Sequence, residues 1–246
     1  MTSNYRLIIE YDGSNFHGWQ KQKDDRTVQG EIEKALSVMT GKKIVINGSG
    51  RTDAGVHAQG QVANFMSNST LSPETFQKGL NSLLPDDVVI LGCHQVDAQF
   101  HARYDVKRKI YHYHILNRII PSAITRHYVW FIRRQLDVKA MNEAARHLVG
   151  SHDFKSFEGT GSPRSSTIRN VFRAEMRQVD AANIVFEIEA DGFLRFMVRN
   201  IVGTLVDVGH AKLTPDDVNN ILHSKNRNLA GPTAPPQGLF LVRVEY

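Results

Sequence analysis

The stretch Gly48-Ser49-Gly50-Arg51-Thr52-Asp53-Ala54-Gly55-Val56-His57-Ala58, called the aspartate loop below, separates two runs with strand character, Ile44 to Ile46 and Gln61 to Met66. Its three glycines allow the backbone to turn tightly and to approach a ligand closely. Asp53 supplies the only carboxylate of the stretch, and Arg51 supplies the only guanidinium. The pattern therefore predicts a loop between two strands that presents one reactive acid to a ligand.

Strands and helices alternate on both sides of this loop. Tyr5 to Tyr11 has strand character and ends at the turn signal Asp12-Gly13. Apolar residues recur at helical spacing from Val28 to Met39, between an N-cap at Thr27 and a stop at Gly41. The same signals predict strands over 88–96, 109–116, 184–189 and 239–246, and helices that begin after Ser72, Asp137, Gly192 and Thr214.

This order of elements predicts an α+β fold of two related halves. Each half is expected to be a mainly antiparallel sheet with helices on one face, and the halves are expected to join around a central cleft. We place the N-terminal half at residues 1–104, which include the aspartate loop. The C-terminal half then comprises residues 105–246.

Composition narrows the class of protein. Apolar residues make up 41% of the 246, and no run has the length of a membrane span. The first residues lack the basic and apolar pattern of a signal peptide. Cys93 is the single cysteine, so no internal disulfide can form, and its apolar run predicts a packed core thiol. We expect a cytoplasmic protein without a membrane partner.

Positive charge is concentrated in the basic segment His101 to Arg134. It contains eight Lys and Arg against one acid, Asp105, for a net charge of +7, whereas the rest of the chain carries −2. Aromatic residues interleave with these cations, notably Tyr111 and Tyr113, a combination that suits base stacking and backbone contacts in RNA. The alternatives are an ordinary basic surface and strand aromatics that face the core.

Residue types alone leave the role of Asp53 open. The carboxylate can serve as a nucleophile or a base, or it can be a turn aspartate that bonds its own backbone, which is the commoner situation. The aspartate loop lacks the Lys-Ser/Thr ending of a phosphate-binding P-loop, which argues against nucleotide hydrolysis. The histidines show no metal-ligand spacing, so no metal site is predicted.

Further motifs follow one another along nearly the whole chain. Together with the aspartate loop they resemble the tRNA pseudouridine synthase A family. The segments that carry this resemblance are Tyr11-Asp12-Gly13, Gly18-Trp19-Gln20, Lys109-Ile110-Tyr111-His112-Tyr113, Asp153-Phe154-Lys155-Ser156-Phe157, the helix Gly192 to Gly203, and Gly231 to Leu239. Phe196 departs from the pattern, because a smaller or polar residue is expected there.

The resemblance implies a function and a set of site residues. It implies isomerisation of uridine to pseudouridine at positions 38, 39 and 40 of the tRNA anticodon stem-loop, without a cofactor or metal, by a homodimer. Asp53 would be the catalytic residue, Tyr111 would contact the target uracil, and Arg199 would pair with Asp53. Arg51 would contact the RNA or the flipped base, and Leu239 would line the pocket.

The residues leave the chemical step open, since Asp53 could add to C6 of the uracil, attack C1′ or take a proton from C2′. Two other classes of protein also fit parts of the pattern. A non-catalytic RNA-binding module would account for the basic segment and leave the aspartate loop unexplained. A carboxylate-dependent hydrolase would need a second acid or base beside Asp53, and none stands out nearby in the sequence.

Overall fold

The computed structural model describes residues 2–159, 161 and 165–246. In chain order the elements of this part are β1 (Ser3–Tyr11), α1 (Val28–Thr40), β2 (Asn47–Gly48), β3 (His57–Ser67), α2 (Pro73–Leu83), β4 (Val88–Val96), β5 (Arg108–Asn117), β6 (Trp130–Ile132), α3 (Val138–Arg146), β7 (Gly150–Asp153), β8 (Ile168–Gln178), β9 (Asn183–Ala190), α4 (Met197–Gly209), α5 (Pro215–Ser224) and β10 (Leu239–Glu245). The fold is α+β and its strand pairing is mostly antiparallel, as the sequence predicts.

Two compact units divide the chain. The first comprises the residues up to Lys107 together with Phe240–Tyr246, and the second comprises Arg108–Leu239. The last strand thus returns to the unit that contains β1, and its Phe240 and Leu241 pair in parallel with His57 and Ala58 of β3.

In the first unit, β1 lies between β3 and β4 and pairs with both in antiparallel register. Alternate residues of β1, including Leu7 and Ile9, are fully buried, as the period of a strand with one covered face requires. Helices α1 and α2 bury apolar side chains at helical spacing, among them Val28, Ile32, Leu36, Phe76 and Leu80. These side chains form the core under the sheet that carries the aspartate loop.

Helix boundaries in this unit follow the cap signals. Thr27 Oγ1 accepts a hydrogen bond from the Gly30 N–H at 3.3 Å, and α1 ends at Gly41 in the left-handed conformation with φ +66°. Ser72 Oγ accepts from the Thr75 N–H at 3.2 Å, where α2 begins. Both helices therefore begin where the sequence predicts.

The second unit repeats the arrangement. Its antiparallel strands follow the order β5-β9-β8-β7, and β6 adds to β5 in parallel. Tyr113 faces Phe186 across the ladder and Phe186 faces Met176, and all three are buried, whereas His112 and Glu187 pair on the opposite face. Helix α3 packs against β8 and α4. Apolar and polar residues thus separate onto the two faces of the sheet.

Several elements differ from the sequence prediction. The strand expected at Ile44 to Ile46 is instead the two-residue β2, and Ile44 and Ile46 are buried outside any strand. Helix α3 ends at Arg146, and Gly150, expected to close it, begins β7. Strands β6, β7 and β8 have no counterpart among the predicted elements. In β8 the register shifts between Val171 and Arg173, which interrupts the alternation that marks a strand.

Candidate active site

Asp53 lies between β2 and β3 and is partly exposed. It begins a turn that the Val56 N–H closes by donating to the Asp53 carbonyl oxygen at 3.2 Å. The third residue of this turn, Gly55, has a φ of +76°, a conformation that glycine adopts without strain. Asp53 therefore lies in a tight turn that leaves part of the residue accessible to solvent.

The segment after β1 holds the backbone on both sides of Asp53. The Trp19 N–H donates to the Thr52 carbonyl oxygen at 3.2 Å, and the Gly55 N–H donates to the Phe16 carbonyl oxygen at 3.3 Å. The hydroxyls of Thr52 and Tyr11 lie 2.7 Å apart in a buried hydrogen bond. Residues 52 and 55 are thus anchored, so the carboxylate between them projects from a fixed stretch of backbone.

Close backbone approach explains the glycines that precede the loop. Gly18 has a φ of +90°, and a Cβ at this position would lie 2.6 Å from the Thr52 carbonyl oxygen. A Cβ on Gly13 would lie 2.0 Å from the Val56 carbonyl oxygen. Both motifs that precede the helix α1 therefore serve to pack the chain directly against the aspartate loop.

Strand β3 holds the other end of the loop. Ser49 Oγ donates to Gln61 Oε1 at 2.6 Å, and Gln61 Nε2 donates to the Gly50 carbonyl oxygen at 3.1 Å. Gln61 is fully buried, whereas Arg51, the next residue after Gly50, is exposed. The loop thus presents an exposed guanidinium two residues before the carboxylate, with the intervening backbone held in place.

Two buried titratable side chains pack behind the loop. Burial raises the pKa of Tyr11 well above its usual value, so its hydroxyl stays protonated and hydrogen-bonded to Thr52. His57 Nδ1 accepts from the Gly13 N–H at 3.1 Å and lies 3.1 Å from Asp12 Oδ1. The imidazole also stacks on Phe240, with ring centroids 4.6 Å apart. These contacts connect the Tyr11-Asp12-Gly13 motif to the far end of the loop.

In the second unit, Tyr111 and Tyr113 point to the same face of β5. Tyr111 is 8% exposed and packs edge to face on Phe193, with ring centroids 5.0 Å apart. Tyr113 is fully buried and its hydroxyl donates to the Pro235 carbonyl oxygen at 2.7 Å. Burial raises the pKa of Tyr113 well above its usual value. The expectation that strand aromatics face the core therefore holds for both Tyr111 and Tyr113.

Arg199 is oriented by the segment that precedes β10. Its Nε donates to the Ala234 carbonyl oxygen at 2.7 Å, and its own carbonyl oxygen accepts from the Ala234 N–H at 3.0 Å. The following segment ends at Leu239, which is buried. Helix α4 and the Gly231 to Leu239 segment, two separate motifs of the sequence, thus fix one guanidinium between them.

Phe196, the residue that departs from the family pattern, caps α4 with a positive φ of 60° and without a side-chain hydrogen bond. Its ring lies against two guanidinium groups, with centroid distances of 4.7 Å to Arg195 and 5.0 Å to Arg199. Such cation–π contacts are favourable. The aromatic ring therefore takes part in positioning Arg199.

A polar pocket of about 510 Å³ opens beside this helix. Asn200 Oδ1 accepts hydrogen bonds from Arg227 at 3.0 Å and from Thr233 Oγ1 at 2.6 Å along its wall. Asn200 Nδ2 in turn donates to the Phe157 carbonyl oxygen at 2.8 Å. Asn200 therefore links α4 to the segment around Phe157, another motif of the sequence.

The structure thus groups the predicted site residues by unit. Arg51 and Asp53 share one loop of the first unit, and Tyr111, Arg199 and Leu239 belong to the second. The pairing of Arg199 with Asp53 and the contact of Tyr111 with a uracil stay predictions. Trp19, Gln61 and Ala234 support the site although no role is predicted for them from the sequence. Trp19 and Ala234 nevertheless lie inside motifs of the sequence, Gly18-Trp19-Gln20 and Gly231 to Leu239.

The basic segment lies largely at the surface. Seven of its eight cations are exposed and Lys109 is half-buried. Within the described residues, no three or more His, Cys, Asp or Glu side chains group so that they could hold a metal ion. No helix in the described part of the chain combines the length and the apolar character that crossing a membrane requires.

Comparison with known protein families identifies the family to which the sequence is similar. The tRNA pseudouridine synthase family model matches residues 7–105 and 144–246. The matched ranges include the aspartate loop and α4, the helix that contains Arg199 and is called the arginine helix below. Together they cover most of the chain. The chain belongs to this family.

Individual relatives are similar in sequence over almost the whole length of this chain. The tRNA pseudouridine synthase A of Acetivibrio thermocellus is 47% identical over 243 residues, which are 99% of each chain. The protein of the same name from Thermoanaerobacter sp. strain X514 is 48% identical over 244 residues, again 99% of each chain. Among solved structures, the archaeal box H/ACA sRNP Nop10-Cbf5 complex matches 92% of this chain and 60% of that chain at 10% identity, with a TM-score of 0.34, too low to support an argument.

Proposed function

We propose that this protein isomerises uridine to pseudouridine at positions 38, 39 and 40 of the tRNA anticodon stem-loop, with Asp53 as the catalytic residue. The observation that carries the proposal is the anchoring of Thr52 and Gly55 by Trp19 and Phe16, which fixes the carboxylate of the loop. A fixed backbone is what a catalytic group needs, because misplacement by about 1 Å can cost about a hundredfold in rate.

The target base must leave the helical stack before its glycosidic bond can be reached, which costs a few kcal/mol. Contacts between cations and phosphates offset this cost, and an aromatic ring replaces part of the lost stacking. We assign the phosphate contacts to the basic segment and Arg51, which is exposed. The aromatic contact is assigned to Tyr111.

The isomerisation itself exchanges one bond for another. The N1–C1′ bond breaks, the uracil turns, C5 bonds to C1′, the proton leaves C5, and N1 ends with a proton. Asp53 starts the sequence by adding to C6, by attacking C1′ or by taking a proton from C2′. Before the product leaves, the bond to the carboxylate breaks again or the proton returns to C2′, so Asp53 ends as it began. Each of these routes needs an ionised carboxylate, and a guanidinium nearby favours that state. We assign this guanidinium to Arg199 and an apolar pocket wall to Leu239.

The remaining expectations concern the state of the protein. We infer a homodimer that works in the cytoplasm on folded tRNA and uses no cofactor or metal. The motif resemblance supports these points. Size-exclusion chromatography with light scattering tests the dimer, and activity after exhaustive dialysis against EDTA tests the metal requirement.

The proposed reaction is tested with whole tRNA that carries tritium at C5 of uridine. We expect wild-type protein to release tritium and to produce carbodiimide-reactive pseudouridine at positions 38, 39 or 40. Free uridine should give no release, because it carries no phosphates through which the basic segment could bind it. Binding of tRNA without release would contradict the proposal and favour a non-catalytic RNA-binding module. Reaction with free nucleosides would favour a small-molecule enzyme.

A further inference from the structure

The segment Asp97 to Asp105, called the anchored turn below, follows β4 and lies near the end of the first unit's continuous stretch, which ends at Lys107. Two buried asparagines hold this segment in place. Asn4 Nδ2 donates to the carbonyl oxygens of Asp97 and Phe100, at 3.0 and 2.8 Å. Asn64 Oδ1 accepts from the Ala102 N–H at 3.0 Å. Both asparagines are almost fully buried, so these bonds are shielded from water.

The last two residues of the chain add three further restraints. The Tyr246 hydroxyl donates to the Ala102 carbonyl oxygen at 2.7 Å, and the Tyr246 ring packs against Phe100 with centroids 4.9 Å apart. The Lys107 N–H donates to the Glu245 carbonyl oxygen at 2.9 Å. A surface loop with this many buried bonds is rigid, because each bond would be lost on displacement.

Tyr104 projects from this rigid turn into solvent. The residue is 73% exposed, which makes it one of the most exposed large side chains of the described residues. Its N–H donates to the His101 carbonyl oxygen at 3.2 Å, so the backbone at Tyr104 is fixed although the side chain is open. The His101 ring contacts the Tyr104 ring, with centroids 4.3 Å apart, but the residue stays largely exposed despite this contact.

One cation lies beside this ring. The Arg103 guanidinium lies over the ring, 5.6 Å from its centroid, and Arg103 is exposed. The acid of the turn, Asp105, accepts from the His101 N–H at 2.8 Å and so serves the turn itself. An exposed aromatic ring beside an exposed guanidinium is an arrangement that binds unpaired nucleotides, since the ring stacks on a base while the cation contacts a phosphate.

We propose that Tyr104 is a stacking platform for an unpaired base of the RNA substrate, with Arg103 on the neighbouring phosphate. The inference rests on the proposed function for the identity of the RNA, but it concerns a site separate from the aspartate loop. A protein partner fits less well, because a single exposed ring beside a guanidinium offers far less apolar area than a stable protein interface requires.

The test compares tRNA binding among variants in an Asp53→Asn background, so that turnover does not disturb the equilibrium. Tyr104→Ala should weaken binding by about five- to fiftyfold, as expected for the loss of one base–aromatic stack. Tyr104→Phe, which keeps the ring, should bind within about twofold of the parent. Arg103→Gln should lower the slope of log affinity against log salt by about one.

Phe172 provides a matched control. It is a partly exposed aromatic residue with the Arg108 guanidinium 4.7 Å from its ring centroid, but Arg108 is also paired with Glu189 at 2.7 Å. Phe172→Ala should leave tRNA binding within about twofold, since its cation is already neutralised. Thermal unfolding of each variant checks that the fold is intact. Tyr104→Ala should unfold at the same temperature as the parent because the ring is exposed.

A direct signal comes from Tyr104→Trp. Its added fluorescence should be quenched when tRNA binds, beyond any change seen in the parent, whose Trp19 is buried and whose Trp130 is partly exposed. Equal affinity of Tyr104→Ala and the parent, or unquenched fluorescence, would overturn the platform while leaving the proposed function standing. Failure of the parent itself to bind tRNA, with no tritium release by wild-type protein, would overturn the proposed function.

Discussion

At the scale of single residues, Gly13 and Gly18 let the chain pack directly against the backbone around Asp53. Gly18 combines a φ of +90° with a backbone neighbour so close that a Cβ would lie 2.6 Å from the Thr52 carbonyl oxygen. This neighbour is the same carbonyl that accepts the Trp19 N–H. A side chain at Gly18 would therefore push on the residue that immediately precedes Asp53.

We predict that Gly18→Ala costs more than about 3 kcal/mol of unfolding free energy and reduces kcat at least tenfold, because the clash adds to backbone strain. Gly41→Ala is the matched control, since Gly41 also has a positive φ, of +66°, but no atom lies within 4 Å of its Cβ position. That change should cost about 1–2 kcal/mol and leave kcat intact. Urea unfolding and tritium release measure both, and equal effects of the two changes would contradict the assignment.

The two tyrosines of β5 are predicted to have different roles: Tyr111 affects the reaction rate, and Tyr113 affects the free energy of unfolding. Tyr111→Phe keeps the ring on Phe193 and should lower kcat with little change in KM, if the hydroxyl handles a proton. Tyr113→Phe removes the donor to the Pro235 carbonyl oxygen and should cost about 1 kcal/mol of stability. Steady-state kinetics and urea unfolding give the comparison. Wild-type kcat in Tyr111→Phe would limit that residue to stacking.

At the scale of elements, the sequence predicts the structure where a local signal marks both ends. Thr27 and Gly41 bound α1, and Thr214 with Asp217 forms a capping box at the start of α5. The signals fail where pairing is decided by distant residues. The pairing of Phe240 with His57 in parallel has no local signature, and the charged, bulged β8 lacks the regular alternation that would mark it.

The capping box predicts a specific dependence of stability on pH. Backbone and side-chain hydrogen bonds from Thr214 hold the pKa of Asp217 below its usual value. A depressed pKa means that the contribution is present above the ordinary pKa of aspartate, about 4, and is lost as the pH falls through the lower folded value. Asp217→Asn should therefore be less stable than wild type at pH 6, and the difference should shrink towards pH 2. Urea unfolding at several pH values tests this, and a constant difference would contradict it.

At the scale of the whole molecule, the sequence predicts the candidate site only in outline. The aspartate loop, the tyrosine strand and the arginine helix could be singled out as motifs. The hydrogen bonds that connect Gln61 to Gly50 and Ala234 to Arg199 could not, because they join residues whose proximity depends on the completed fold. The concentration of positive charge, in contrast, could be predicted from the positions of Lys and Arg along the sequence. In the structure the cations of the basic segment are largely exposed.

Exposed cations of the basic segment should govern the affinity for tRNA. Replacing Arg133 and Arg134 together by Gln should weaken binding at low salt and lower the salt slope by about two, since each phosphate contact contributes about one. Lys43→Gln removes an exposed charge outside the segment and serves as the control. Filter binding between low and moderate salt provides the measurement. An unchanged slope in the double variant would place the RNA elsewhere.

The central claim is that the Asp53 carboxylate carries out the reaction. Single-turnover tritium release from C5-labelled tRNA tests it most directly, with Asp53→Asn compared with Asp86→Asn, an exposed aspartate in another turn of the same unit. We predict that Asp53→Asn binds tRNA and melts like wild type but releases no tritium, whereas Asp86→Asn releases it at the wild-type rate. Substantial release by folded Asp53→Asn would contradict the claim.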